Sequence, residues 1–292
     1  MTTRGSCTDP RRVHWSRWLA GVAGLAIVVP AVNGTAAEAG ALRETTRTIT
    51  VGGRARTWLS ITSRTKLAAT APILVVLSGI SASAGTEAGR DGLAQFTANG
   101  GAMLVYPYGV GESWNAGGCC GTAAREHVND VAFLQALVAT VDPGHLRPVY
   151  LIGYSNGGRL TYRLACTDPA LFDGLAVVKA MPEPGCVVTQ PVILMQIDST
   201  DDTAVPLRPG DRGKEHPAAT TEVTRLRTAG DCPAAGTTRT TGSLRLTTWN
   251  SCAAGARLAF AVYTGGGHDF PPGSATTPSA ATIIWRFLTT AR

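Results

Sequence analysis

A chain of 292 residues with 44% apolar content has material for one substantial core. Its net charge of +6 is carried by scattered arginines, with no basic run and no interleaved aromatics, which excludes a nucleic-acid-binding surface as its main theme. Seven cysteines, with no histidine or second C-x-x-C at ligand spacing, point to disulfides and away from a metal site.

The first segment reads as an address. Arg4, Arg11, Arg12 and Arg17 form a basic region, Leu19 to Val32 is an apolar run of small residues, and Ala37-Glu38-Ala39 offers a cleavage site. That order predicts a secretory signal peptide over residues 1–39, with the protein exported and a single domain over 40–292. A run of fourteen residues is short for a membrane span, so no membrane partner is expected after cleavage. Cleavage lowers the net charge to +4 and removes Cys7, leaving six cysteines. Short local loops favour Cys166 with Cys186 and Cys232 with Cys252. Cys119 and Cys120 then either form a vicinal disulfide or take partners that break those local pairs.

Alternation around Gly52-Gly53 predicts a hairpin over 45–62, and Pro72 to Leu77 reads as a strand buried on both faces. A small-residue loop, Ser78 to Ser83, precedes a helix predicted over 88–99 and a strand over 102–106. A long loop, 107–128, holds Trp114, Asn115 and the cysteine pair; Asn129 or Asp130 then caps a helix through Val141. Further strands are expected at 149–152, 174–178, 191–197, 244–249 and 257–263, and helices at 159–165, 216–228 and 279–290. The alternation predicts an α/β fold, a mostly parallel sheet with helices on both faces.

Between the strand at 149–152 and its helix stands Gly153-Tyr154-Ser155-Asn156-Gly157. A G-x-S-x-G between strand and helix is a nucleophile elbow, a strained turn that exposes the serine hydroxyl. Serine needs a base, and the base an orienting carboxylate. His268, in a glycine-rich loop between the last strand and the last helix, fits the base. His127 precedes the serine, against the usual chain order, while His145 and His216 read as loop or cap residues. Asp198, Asp201 and Asp202 all follow the 191–197 strand, and spacing does not choose among them. An oxyanion hole would use the N–H of Asn156 and one from Ile80 or Ser81.

These pieces resemble a known family over residues 45 to 290. L-S-G-I (77–80), Y-P-Y-G (106–109), W-N-A-G-G-C-C-G (114–121), N-D-V-A-F-L-Q-A-L (129–137), G-Y-S-N-G-G (153–158), D-D-T-A-V-P (201–206) and G-G-G-H-D-F-P (265–271) are similar to the secreted poly(3-hydroxybutyrate) depolymerase, feruloyl esterase and acetylxylan esterase group of α/β-hydrolases. The resemblance implies an α/β-hydrolase fold, Ser155 as nucleophile, His268 as base and Asp202, four residues before Pro206, as the acid. It implies an extracellular ester substrate, polymer or oligomer, with no cofactor and no metal. Three positions depart from the family pattern: Ser78 replaces a histidine, Asp198-Ser199-Thr200 a glycine-threonine turn, and Phe270 a tryptophan. Trp114 is a candidate aromatic platform for substrate, with Tyr154 and Phe270 beside it. A peptidase on the same fold and a non-catalytic extracellular binding protein are the alternatives.

Overall fold

The computed structural model describes residues 42–290, apart from 66, 212 and 214–216. The expected signal segment and His216 lie outside the described residues. The chain opens with the hairpin β1 (Leu42–Val51) and β2 (Arg54–Ser63), whose Gly52 and Gly53 both take the positive φ that a tight two-residue turn needs. There follow β3 (Ile73–Leu77), α1 (Ala84–Arg90), β4 (Met103–Pro107), α2 (Gly121–Arg125), α3 (Asp130–Val141), β5 (Val149–Tyr154) and α4 (Asn156–Thr167). Then come β6 (Gly174–Val178), β7 (Ile193–Ser199), α5 (Ala219–Ala229), β8 (Thr237–Thr241), β9 (Leu244–Trp249), β10 (Arg257–Tyr263) and α6 (Ala280–Thr289).

Among the described residues, ten strands form one sheet in the order β1-β2-β4-β3-β5-β6-β7-β10-β9-β8. The six central strands, β4 through β10 in that order, run parallel, and antiparallel hairpins extend both edges. Side chains alternate across the sheet as a period of two requires. Ile73, Val75 and Leu77 pack with Phe133, Leu137, Leu160 and Leu226 from α3, α4 and α5. Leu74 and Val76 pack on the other face with Ile284, Phe287 and Leu288 of α6. Burial on both faces explains the unbroken apolar runs.

Four expectations are corrected. The helix predicted over 88–99 is instead α1, started by Ser83 accepting from the Thr86 N–H, and a 3-10 turn (Leu93–Phe96), with Gly92 at φ 73° between them. The loop over 107–128 contains α2, and β8 lies where no element was expected. The strand ending at 197 continues to Ser199, so Asp198 belongs to β7 and not to the turn.

One buried ion pair fixes the strand–helix frame beneath the site. Arg56 of β2 reaches Asp130 of α3 at 2.7 Å, with its guanidinium 3.9 Å over the Phe133 ring. The other Asp130 oxygen accepts the Asn115 N–H at 2.7 Å, anchoring the W-N segment. The cysteines pair as Cys166–Cys186, Cys232–Cys252 and the vicinal Cys119–Cys120.

Candidate active site

Ser155 stands between β5 and α4 at φ 51°, ψ −117°, a region a non-glycine residue enters only when its surroundings hold it there. The neighbouring glycines explain how. A Cβ on Gly153 would lie 2.3 Å from Thr161 Oγ1, and one on Gly157 would lie 2.5 Å from the Leu77 carbonyl. Strand, turn and helix thus pack closer than side chains permit, and the Ser155 N–H is tied to the Val178 carbonyl at 2.9 Å.

His268 faces the serine from the loop after β10. Its Nε2 is 2.9 Å from Ser155 Oγ, and its Nδ1 is 2.9 and 3.1 Å from the two Asp202 oxygens. An ionised carboxylate only accepts, so Nδ1 carries the proton and Nε2 is left to accept from the serine hydroxyl. Burial pushes the Asp202 carboxyl up, but hydrogen bonds from His268, Val205 and Ala204 outweigh it, and the group ends below its ordinary value. The other two aspartates do different work. Asp201 accepts the Gly267 N–H at 2.9 Å, bracing the histidine loop, and buried Asp198 accepts from Gln196 at 2.8 Å. His127 and His145 both sit in turns at positive φ.

Two backbone N–H groups flank the serine. Asn156 is the first residue of α4, so its N–H has no partner within the helix. Of the two earlier options, Ser81 is committed, its N–H donating to Glu112 O at 2.8 Å, while no described acceptor is paired with the Ile80 N–H. The loop that carries Ile80 packs against the elbow: a Cβ on Gly79 would meet the Tyr154 ring at 2.9 Å and Ser155 Cβ at 3.4 Å.

The aromatic expectations change. Trp114 has no exposed surface and offers no face to a ligand. Its indole N–H donates to the Ser78 carbonyl at 3.0 Å, and its backbone is clasped by the Asn156 side chain at 2.7 and 3.0 Å. It is a brace between the Ile80 loop and the elbow. Tyr154 and Phe270 are also buried: the Tyr154 hydroxyl donates to the His268 carbonyl, and Phe270 meets the Tyr154 ring edge-on at 6.1 Å. Both pack against the histidine loop, which carries three successive positive-φ glycines, Gly265 to Gly267, and Phe270 also lines a cavity of about 570 Å³ with Gly265, Gly266 and Asp269.

A residue that sequence reasoning missed lies behind Asp202. Lys179, one position past β6, is wholly buried with its ammonium 4.0 Å from Asp202 Oδ2. The available signal was a lysine ending the apolar run G-L-A-V-V. On the solvent side, Ile80 is 46% exposed, and Arg159, one turn into α4, pairs with Glu183 beside Gly118. A cavity of about 690 Å³ lies elsewhere, between the β9 face and α6, and includes none of these residues.

No family model matches the chain. Over 187 residues it is 34% identical to a protein named "Putative esterase NocK" from Nocardia uniformis subsp. tsuyamanensis, covering 60% of this chain and 53% of that one. The chain thus spans about half the length of that relative. Among solved structures it is similar to an acetyl xylan esterase from Aspergillus awamori, with a TM-score of 0.57 at 15% identity over 85% of this chain and all of that one. It is similar also to a thermostable esterase, with a TM-score of 0.52 at 13% identity, over 78% of this chain and 56% of that one. A prolyl endopeptidase matches with a TM-score of 0.50 at 12% identity, over 85% of this chain and 37% of that one. Esterases and a peptidase share this framework, so it identifies architecture and leaves the reaction to the site. With six parallel strands, the elbow after β5 and the histidine loop after β10, the chain has the α/β-hydrolase fold.

Proposed function

We propose that the protein is a secreted serine esterase acting on extracellular carboxylic esters, with Ser155 as nucleophile, His268 as general base and Asp202 as its orienting acid. The observation that supports this most directly is the unbroken line of hydrogen bonds from Asp202 through His268 to Ser155 Oγ, at 2.9 Å each. Ser155 Oγ attacks the ester carbonyl while His268 Nε2 takes its proton. The resulting imidazolium is stabilised by Asp202, which stays ionised. The oxyanion is held by the N–H groups of Asn156 and Ile80. His268 then protonates the leaving alcohol, and water, deprotonated by the same nitrogen, releases the acid. These steps use only groups of this chain.

The name of the matched relative supports an ester substrate, and the family motifs suggest hydroxyalkanoate oligomers or polymer, or feruloyl and acetyl groups on plant polysaccharide. The basic-apolar-small order of residues 4–39 and the three cysteine pairs support export.

Acid release from methyl ferulate, acetylated xylan and a hydroxybutyrate trimer, measured for the protein and its Ser155→Ala variant, tests the reading. One ester is expected to be cleaved fastest, and the variant is expected to lose at least ~10⁴-fold in kcat. A variant as active as the parent would remove Ser155 from the mechanism. Comparable cleavage of peptide amides would move the protein to the peptidase reading, and inertness of both proteins, together with no labelling by a serine-directed phosphonate, to a binding role.

A further inference from the structure

Lys179 carries the inference. Its surroundings are costly for a lysine in two separate ways. Its backbone sits at φ 56°, the left-handed region that a bulky side chain avoids, and its side chain has no exposed surface. Taking an ammonium out of water costs several kcal/mol unless it finds partners. A methionine would fill the same space without that cost, so packing does not account for the charge.

Its partners all belong to the machinery around His268. The ammonium donates to Ser199 Oγ at the end of β7 and to the carbonyl of Gly267, the residue before His268. It lies 4.0 Å from Asp202 Oδ2. The charged and titratable groups that face it come from three segments: Asp198 on β7, Asp201 and Asp202 in the turn after it, and Asp269 beside His268 in the histidine loop. Burial lowers its proton affinity, while those four carboxylates work to keep it charged, Asp202 most strongly. Other ties on the loop, Gly267 N–H to Asp201 and Tyr154 hydroxyl to the His268 carbonyl, carry no positive charge.

We propose that Lys179 is a positioning residue: its ammonium keeps Asp202 ionised and fixes the glycine loop that aims His268 at Ser155. The inference rests on the esterase reading above. A cation on the far side of Asp202 disfavours a resting imidazolium at His268, so the base stays free to more acidic pH. It also discourages the proton from passing on to Asp202.

Kinetics of Lys179→Met and Lys179→Gln across pH, on whichever ester the protein cleaves fastest, test this, with Ser155→Ala run in parallel. Both lysine variants are expected to lose about 10- to 100-fold in kcat with KM within about twofold. The acid limb of their activity profiles is expected to move up by about one pH unit, because loss of the cation makes His268 easier to protonate. Ser199→Ala, which removes a partner of the ammonium and leaves its charge, is expected to lower kcat about three- to tenfold with the acid limb unmoved. If Lys179→Met and Lys179→Gln fold with unchanged kcat and an unmoved acid limb while Ser155→Ala is dead, the inference fails and the esterase reading stands. If neither lysine variant melts cooperatively, Ser199→Ala decides: unchanged kcat, or a shifted acid limb, overturns the role. Activity surviving in Ser155→Ala overturns both.

Discussion

The indole of Trp114 donates one hydrogen bond to the Ser78 carbonyl, two residues before Ile80. Trp58 is as deeply buried, yet its indole nitrogen has no partner among the described residues. The two tryptophans therefore form an internal control. Replacing either by phenylalanine removes a similar volume, but only Trp114→Phe leaves a buried carbonyl without its donor. Such a loss costs about 1–3 kcal/mol. Trp114→Phe is expected to melt lower than Trp58→Phe by that margin and, on the proposed mechanism, to lower kcat about tenfold, since the Ile80 N–H would be loosened where charge develops. Equal melting temperatures and equal kcat in the two variants would show that the bond does not steady the loop. The departure at Ser78 gains meaning here: its hydroxyl donates to the Ala82 carbonyl at 2.8 Å, closing the same loop from within.

At the scale of elements, what the sequence discloses depends on whether the signal is local. Strands β6 and β10 coincide with their apolar runs, and the helix expected from Ser279 is α6 with Ser279 as its cap, because burial on two faces and side-chain capping are written in adjacent residues. Strand β8 reads T-T-R-T-T, all exposed, and exists because β9 pairs with it, including a Thr238–Thr247 hydroxyl contact at 2.9 Å. Nothing in five polar residues announces a partner. The aspartates show the same limit: spacing left Asp198, Asp201 and Asp202 equal, the family resemblance pointed to Asp202, and the fold of the turn puts Asp202 against His268 and Asp201 against Gly267. Trp114 was visible as a residue and invisible as a buried one. Beyond its pairing, the β8–β9 hairpin depends on Cys232–Cys252, which closes its base across a separation of 20 residues. Cross-linking a loop of that size is worth about 3 kcal/mol. The double variant Cys232→Ala, Cys252→Ala is expected to lose that much stability and to exchange β8 and β9 amides faster, with kcat unchanged because neither residue contacts the site. Unaltered exchange in the hairpin would mean that sheet pairing alone holds it.

For the whole molecule, two buried carboxylates set opposite responses to pH. Asp202 ends below its ordinary value, so the stability it contributes is present above the unfolded carboxylate range and is lost as pH falls through its folded value. Asp91, at the end of α1, goes the other way. Burial raises it to about 7, against the hydrogen bonds it accepts from the Leu93 N–H at 2.8 Å and the Tyr106 hydroxyl at 2.7 Å. Between about pH 4 and 7 the folded protein holds a proton there that the unfolded chain has released. Stability must therefore fall as pH rises through that window and level off above 7, by roughly 4 kcal/mol as an upper bound. Asp91→Asn removes the titration and keeps an oxygen for the Leu93 N–H. Compared with the parent, the variant is expected to melt several degrees higher at pH 8 and no higher at pH 5, where the parent's carboxyl is already neutral. Glu87, also raised by burial and paired with Arg90 at 2.6 Å, leaves the variant a smaller slope of the same sign. Melting temperatures recorded from pH 4.5 to 8.5 decide the matter: parallel curves for parent and variant would mean that Asp91 stays ionised in the fold, and that its bonds to Leu93 and Tyr106 outweigh its burial.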